Sequence, residues 1–187
     1  MTISVLDPQT ALVLIDLQKG IVSRQTVHPI PGVMANAVAL AKAFRARGLP
    51  VVLVNVAGLA PGRTEAPRMS GAFPPDWMEL APDLDEQPTD LKVTKRTWGA
   101  FHNTELEKLL RERGVSQIVL GGVSTSAGVE STARQAHERG FNVALAVDAM
   151  TDMSPEAHEN SVTRIFPRLG ETGTAQEIIA KLGETRA

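Results

Sequence analysis

The chain of 187 residues contains no cysteine, and this absence excludes several kinds of chemistry at once. Without a thiol there is no disulfide, no thiolate metal ligand and no cysteine nucleophile. Tyrosine is also absent and aromatic residues make up only 4%, so the positions of the few tryptophans and phenylalanines are informative. The net charge is -2 and no basic stripe is present, so we expect no nucleic-acid partner.

Long apolar runs and metal or cofactor motifs are missing as well. No apolar run approaches the ~20 residues that a membrane-spanning helix requires, so we expect no membrane partner. The first ten residues lack a basic region followed by an apolar stretch, which predicts a cytoplasmic location. The four histidines are scattered without metal-ligand spacing, and neither G-x-G-x-x-G nor a P-loop occurs. We therefore predict no metal and no cofactor.

What the chain does contain is an alternation of short apolar runs with helical patterns, within one domain spanning residues 1–187. Nearly continuous apolar runs, typical of parallel strands buried on both faces, occur at 11–15, 51–56, 117–120 and 142–147, with a weaker one at 91–94. Helical spacing or capping signals predict helices at 32–47, 104–113, 129–139, 155–166 and 174–182. This alternation predicts an α/β fold, an open parallel sheet with helices on both faces.

The segment Gly58–Pro88 interrupts this alternation and is rich in proline and glycine. It carries Arg63, Arg68, Phe73 and Trp77. A loop of this length in a compact domain is often a lid or an oligomer contact. An ordinary surface loop is the alternative interpretation.

Two charged residues follow predicted strands, at the end of a parallel sheet where ligands gather. Asp16 ends the first strand, and Lys95 follows the weaker one. A lysine beside a carboxylate orients it or stabilises developing negative charge. The alternatives are a capping aspartate and a solvated surface lysine, and these considerations do not rank Lys95 above its neighbours Lys92 and Arg96.

Two of the few aromatic residues, Trp98 and Phe101, lie just beyond Lys95. They are candidates for a stacking wall against a substrate, and ordinary core packing is the alternative.

The segment Gly121–Gly128 lies between a predicted strand and a predicted helix. Its glycines permit a close backbone approach, and the helix start offers N–H groups to an anion or oxyanion. Ser124, Thr125 and Ser126 are interpreted as hydrogen-bonding groups, because no histidine is placed to activate them as nucleophiles.

In order and spacing, the segments ALVLIDLQ, KRTWGAF, IVLGGVSTSAGVESTARQA and NVALAVDAMTD resemble the isochorismatase-like hydrolase family. The resemblance runs from about residue 11 to about residue 182. It implies a Rossmann-like parallel sheet of six strands in the order 3-2-1-4-5-6, a small-molecule substrate, and a homo-oligomer, either dimer or tetramer.

The resemblance also assigns positions. The Asp and Lys of the family's Asp–Lys–Cys triad fall on Asp16 and Lys95, whereas the cysteine position is Gly128. Family members often have a cis peptide bond after the valine of the glycine segment, which in this chain is the bond between Val123 and Ser124. The candidate substrate-binding residues are Gln18, Trp98, Phe101, Val123, Ser124 and Thr125.

Glycine at the nucleophile position excludes a covalent thioester and therefore a cysteine amidohydrolase. The isochorismatases proper also carry glycine there, and they cleave a vinyl ether without a nucleophile. We therefore predict a hydrolase that acts through Asp16 as general acid/base with Lys95 as its charge partner. The alternatives are a catalytically inactive family member that binds a small molecule or serves as an oligomeric scaffold, and acyl transfer by Ser124 or Ser126.

Overall fold

The computed structural model describes residues 3–65 and 73–184, and its centre is a six-stranded parallel sheet of order β3-β2-β1-β4-β5-β6. The strands are β1 (Thr10–Ile15), β2 (Val51–Val56), β3 (Leu91–Lys95), β4 (Gln117–Val123), β5 (Asn142–Thr151) and β6 (Glu171–Gly173). The predicted parallel sheet and its strand order are confirmed.

Helices cover both faces of this sheet, as the continuous apolar runs predict. They are α1 (Lys19–Val22), α2 (Ile30–Ala46), α3 (Leu106–Arg111), α4 (Glu130–Glu138), α5 (Pro155–Asn160) and α6 (Ala175–Glu184). Alternate residues of β1 enter different core layers: Leu12 and Leu14 belong to the layer of α2 and α6, whereas Val13 and Ile15 belong to that of α3 and α4. Both faces are thus buried, and β1 lies at the centre.

The strand β4 is longer than predicted, because it continues through Gly121 and Gly122 to Val123. Gly122 pairs with Ile15 of β1 and has φ 120°, a conformation that other residues rarely adopt. A Cβ atom on Gly122 would lie 2.0 Å from the Ile15 carbonyl oxygen. The first part of the predicted glycine loop is therefore strand, since glycine lets the backbone of β4 approach the end of β1.

The strand β5 is also longer than predicted and ends at Thr151 rather than at residue 147. Its register against β4 shifts between Leu120 and Gly122, so that Gly122 pairs with Met150 and Val123 with Thr151. The irregularity accommodates extra residues of β5. It carries the end of β5 to the same edge as the end of β4.

Other differences concern shorter elements. The predicted helix at 155–166 is α5 followed by a π-helical segment (Ser161–Ile165) and a 3₁₀ turn (Phe166–Arg168), while α3 is shorter than predicted. The three residues of β6 carry too little apolar pattern to be predicted individually. In the described part of the chain, no helix is long and apolar enough to cross a membrane.

The segment Gly58–Pro88 contacts the residues that directly follow β1. Leu80 forms an antiparallel bridge with Gln18, and the buried ring of Trp77 lies against Gly20, where a Cβ would be 1.9 Å from its Cδ1. Phe73 stacks on Trp77 with ring centroids 4.1 Å apart. Arg68 lies outside the described residues. Residues 73–80 of this segment thus pack beside the chain that follows Asp16.

Candidate active site

The central feature of the site is a buried ion pair between Asp16 and Lys95. Asp16 follows β1 and Lys95 ends β3, on opposite sides of β2, and their relative exposures are 5% and 2%. The Lys95 Nζ donates to Asp16 Oδ2 at 2.7 Å and to the Thr97 carbonyl oxygen at 3.2 Å. The other carboxylate oxygen, Asp16 Oδ1, is buried and has no hydrogen-bond partner within the described chain.

The environment of Asp16 brings the titration of its carboxyl group closer to neutral pH. Burial raises the pKa of Asp16 from 3.8 to about 6, although the charge and hydrogen bond of Lys95 lower it. Asp16 has φ 52°, in the left-handed region that aspartate and asparagine tolerate better than most residues. The backbone N–H of Asp16 donates to the Val54 carbonyl oxygen at 2.8 Å, which anchors this turn to β2.

Gly128 faces this pair from a π-helical turn, Thr125–Val129, that precedes α4. A Cβ atom on Gly128 would lie 3.3 Å from Asp16 Oδ2 and 3.7 Å from Lys95 Nζ. It would also lie 2.9 Å from Ile15 Cγ2, so even the first carbon of a side chain is crowded here. The peptide bond Val123–Ser124, just before the turn, is cis. The three positions that the resemblance assigned to catalysis are therefore brought together.

The predicted substrate-binding residues Gln18, Trp98 and Phe101 have very different surroundings. Gln18 is fully buried: it accepts from Val56 N at 2.7 Å and donates to the carbonyl oxygens of Val56 (3.1 Å) and Trp77 (2.9 Å). Phe101 is 5% exposed within the core, whereas Trp98 is 62% exposed in the turn after β3. Phe101 therefore packs in the core, which was the alternative to a stacking wall. Gln18 links the backbone at Trp77 to β2 through its side-chain amide.

The remaining candidates lie around the start of the turn. Val123 is buried in the core, and Ser124 is half-buried directly after the cis bond. The Ser126 N–H and Oγ both donate to Asp152 Oδ2, at 2.7 and 2.8 Å. Asp152 lies just past β5, so its carboxylate links the turn to the end of that strand.

The expectation that no histidine lies beside these hydroxyls is wrong. Thr125 Oγ1 lies 2.9 Å from Nδ1 of His158, on α5. Thr125 is fully buried and His158 is 9% exposed. No local sequence pattern indicates this contact, because the two residues are 33 positions apart and are brought together by the path of β5 and α5. The predicted start of a helix after Ser154 was the available signal, because it places His158 near the edge where the strands end.

The fold and the site together define an α/β protein with a buried carboxylate–ammonium pair at the carboxyl edge of a parallel sheet. The isochorismatase domain family matches residues 10–177. The isochorismatase family protein YecD of Escherichia coli O157:H7 is 42% identical over 180 residues, covering 92% of this chain and 96% of YecD. YwoC of Bacillus subtilis (strain 168), another isochorismatase family protein, is 42% identical over 182 residues, covering 93% of this chain and 94% of YwoC.

A solved structure agrees with these sequence matches. An isochorismatase family protein from Burkholderia thailandensis is 43% identical and superposes with a TM-score of 0.93, covering 98% of this chain and 100% of that one. The chain belongs to the isochorismatase-like hydrolase family.

Proposed function

We propose that the protein hydrolyses a small-molecule substrate by proton transfer from Asp16, without a covalent enzyme intermediate. The observation that carries this proposal is the buried Asp16–Lys95 pair, joined at 2.7 Å, whose second carboxylate oxygen has no partner among the residues that the structure describes. A buried polar atom without a partner is costly in a folded protein. We infer that Asp16 Oδ1 finds its partner in the substrate.

The acid–base properties of the pair support this role. With a pKa of about 6, the Asp16 carboxyl is protonated in an appreciable fraction of molecules near neutral pH. After it gives up its proton, the resulting carboxylate is stabilised by the adjacent Lys95 ammonium. Lys95 therefore serves as a charge partner and needs no proton transfer of its own.

The chemistry that suits such a pair is hydrolysis initiated by protonation, of which vinyl ether cleavage is the type. The Asp16 proton goes to the vinyl carbon and leaves an oxocarbenium ion on the substrate. The oxygen of a water molecule then bonds to the cationic carbon, and the water's proton returns to Asp16. The resulting hemiketal separates into a carbonyl compound and an alcohol. General acid catalysis of this kind contributes typically 10²–10⁴-fold to rate.

The residues around the pair argue against covalent catalysis. Gly128 stands where its Cβ would face both charged groups, yet it carries no nucleophile. Among the hydroxyls, Thr125 is fully buried with its oxygen 2.9 Å from His158 Nδ1, and the Ser126 hydroxyl donates to the Asp152 carboxylate, so neither is directed at the Asp16–Lys95 pair. In this proposal a water molecule is the nucleophile. Within this proposal, Trp98, Ser124 and the backbone of the 123–128 segment contact the substrate.

Intact-mass spectrometry during turnover tests the absence of a covalent intermediate. A panel of vinyl ethers, esters and amides is first screened for turnover. The reaction with a substrate that the enzyme converts is then stopped with acid while that substrate is still in excess. We expect only the mass of the unmodified chain at every time point. An adduct that maps to Ser124 or Ser126 would contradict the proposal and favour acyl transfer, and a screen without any turnover would favour an inactive binding protein.

A further inference from the structure

We propose that His158 is a positioning residue for the turn Thr125–Val129, and that it acts by accepting a hydrogen bond from Thr125. The inference deepens the proposed function, on which its catalytic consequence rests. It concerns residues that do not face the Asp16–Lys95 pair.

The donor in this contact follows from the hydrogen-bonding capacity of the two groups. The Thr125 hydroxyl is fully buried, and its proton needs an acceptor. Within the described residues, the acceptor found for it is His158 Nδ1, at 2.9 Å. The Thr125 O–H therefore donates to Nδ1, and the imidazole proton sits on Nε2. Burial also lowers the pKa of His158, and the nearby His28 lowers it further, which agrees with a neutral ring.

The position of Thr125 determines what the contact holds in place. Thr125 is the first residue of the π-helical turn, directly after the cis peptide bond Val123–Ser124. Three residues later, Gly128 lies against the ion pair, with its ideal Cβ position 3.3 Å from Asp16 Oδ2. A shift of the turn therefore moves its backbone relative to the catalytic carboxyl group.

The turn has supports on two sides, which explains why His158 is needed in addition to Asp152. Asp152 Oδ2 receives the N–H and hydroxyl of Ser126, and the Gly128 carbonyl oxygen accepts from Thr132 Oγ1 at 2.6 Å. Neither of these contacts holds Thr125 itself. The His158 ring does so from α5, and it is in turn packed edge-on against His28, with centroids 4.7 Å apart.

Substitutions at both ends of the contact test the inference. Thr125→Val keeps the shape and removes the hydroxyl, whereas His158→Leu removes the acceptor. We expect each to lower Asp16-dependent kcat/KM about 10- to 100-fold, because small misplacements of catalytic geometry have effects of this size. The double variant should be no worse than either single variant, since the two act through one contact. In His158→Asn, an amide oxygen near the position of Nδ1 should restore most of the activity.

Two further measurements report on the stability of the turn Thr125–Val129 and on the protonation of His158 without requiring enzyme turnover. Backbone amide exchange of residues 126–129 should accelerate about tenfold in Thr125→Val and His158→Leu, which is the effect of losing one hydrogen bond. The matched control Thr163→Val removes an exposed hydroxyl that bonds Glu159 O, and it should leave exchange at 126–129 unchanged. The ¹⁵N spectrum of His158 should show an unprotonated Nδ1 and a protonated Nε2.

The outcomes separate this inference from the proposed function. Unchanged exchange in both variants, a protonated Nδ1, or effects that simply add in the double variant would overturn the positioning role. Faster amide exchange in the variants, together with no wild-type turnover on any substrate, would show that the Thr125–His158 contact stabilises the turn. It would overturn only the proposed function.

Discussion

Replacing Asp16 with asparagine is expected to reduce turnover by about 10²–10⁴-fold, the usual contribution of a general acid. Asparagine has almost the same shape, and it tolerates the left-handed φ of 52° found at this position. It can still accept a hydrogen bond from Lys95 but has no proton to transfer. The fold should therefore remain while the chemistry is lost. Steady-state kinetics with the substrate found in the screen, together with circular dichroism, measure both.

Asp85 provides a matched control for this substitution. It also has a left-handed backbone, with φ 54°, but it is exposed and lies outside the site. Asp85→Asn should leave both turnover and stability within experimental error of the wild type. If Asp16→Asn kept wild-type turnover, Asp16 would not be the proton donor.

Replacing Lys95 with methionine is expected to raise the pKa of Asp16 further above its present value of about 6, because both influences that lower it come from Lys95. The variant should also lose stability, since removing one partner of a buried ion pair costs about 3–5 kcal/mol when the other stays charged. Protonation of Asp16 removes that charge. The loss should therefore be largest at alkaline pH and smaller in acid.

The direction of the pH effect follows from proton linkage. In the wild type, the pKa of Asp16 is raised on folding, from 3.8 to about 6. The stability that this proton uptake contributes is fully present below the unfolded value and is lost as pH rises through the folded value. In Lys95→Met the folded pKa is higher still, so the loss should continue to higher pH.

Urea unfolding of the wild type and Lys95→Met, at about pH 5 and about pH 8, measures this difference. Lys92→Met is the matched control, because Lys92 lies on the same strand with an exposed side chain that pairs with Glu86. A destabilisation of Lys95→Met that is equal at both pH values would show that Asp16 does not titrate between them.

The sequence predicted β1, β2, β4 and β5 well, because these strands are almost continuously buried and carry apolar runs that need no tertiary information. It predicted the ends of β4 and β5 poorly. Gly121 and Gly122 have the composition of a loop, and their pairing with β1 on one side, and of Gly122 with Met150 on the other, makes them strand. The short β6 has no pattern of its own and pairs with β5 through three residues.

The candidate site could also be predicted only in part from the sequence. Asp16 and a lysine near the end of β3 could be placed at one edge, because the ends of parallel strands meet there, and the family resemblance then selected Lys95 over Lys92. Which groups touch across that edge depended on side-chain packing that no local pattern specifies. Phe101 and Trp98 are close in sequence, yet one lies in the core and the other in solvent. The contact between Thr125 and His158 depended on the path of β5 and α5.

The pH dependence of kcat/KM tests the proton-donor role of Asp16 most directly. Since the reactive form is the protonated acid, kcat/KM should be constant at low pH and fall as pH rises through about 6, the pKa of Asp16. In Lys95→Met the fall should move to higher pH. A profile that instead rises through this pH, or one that Lys95→Met leaves at the same pH, would contradict the assignment of Asp16 as a general acid tuned by Lys95.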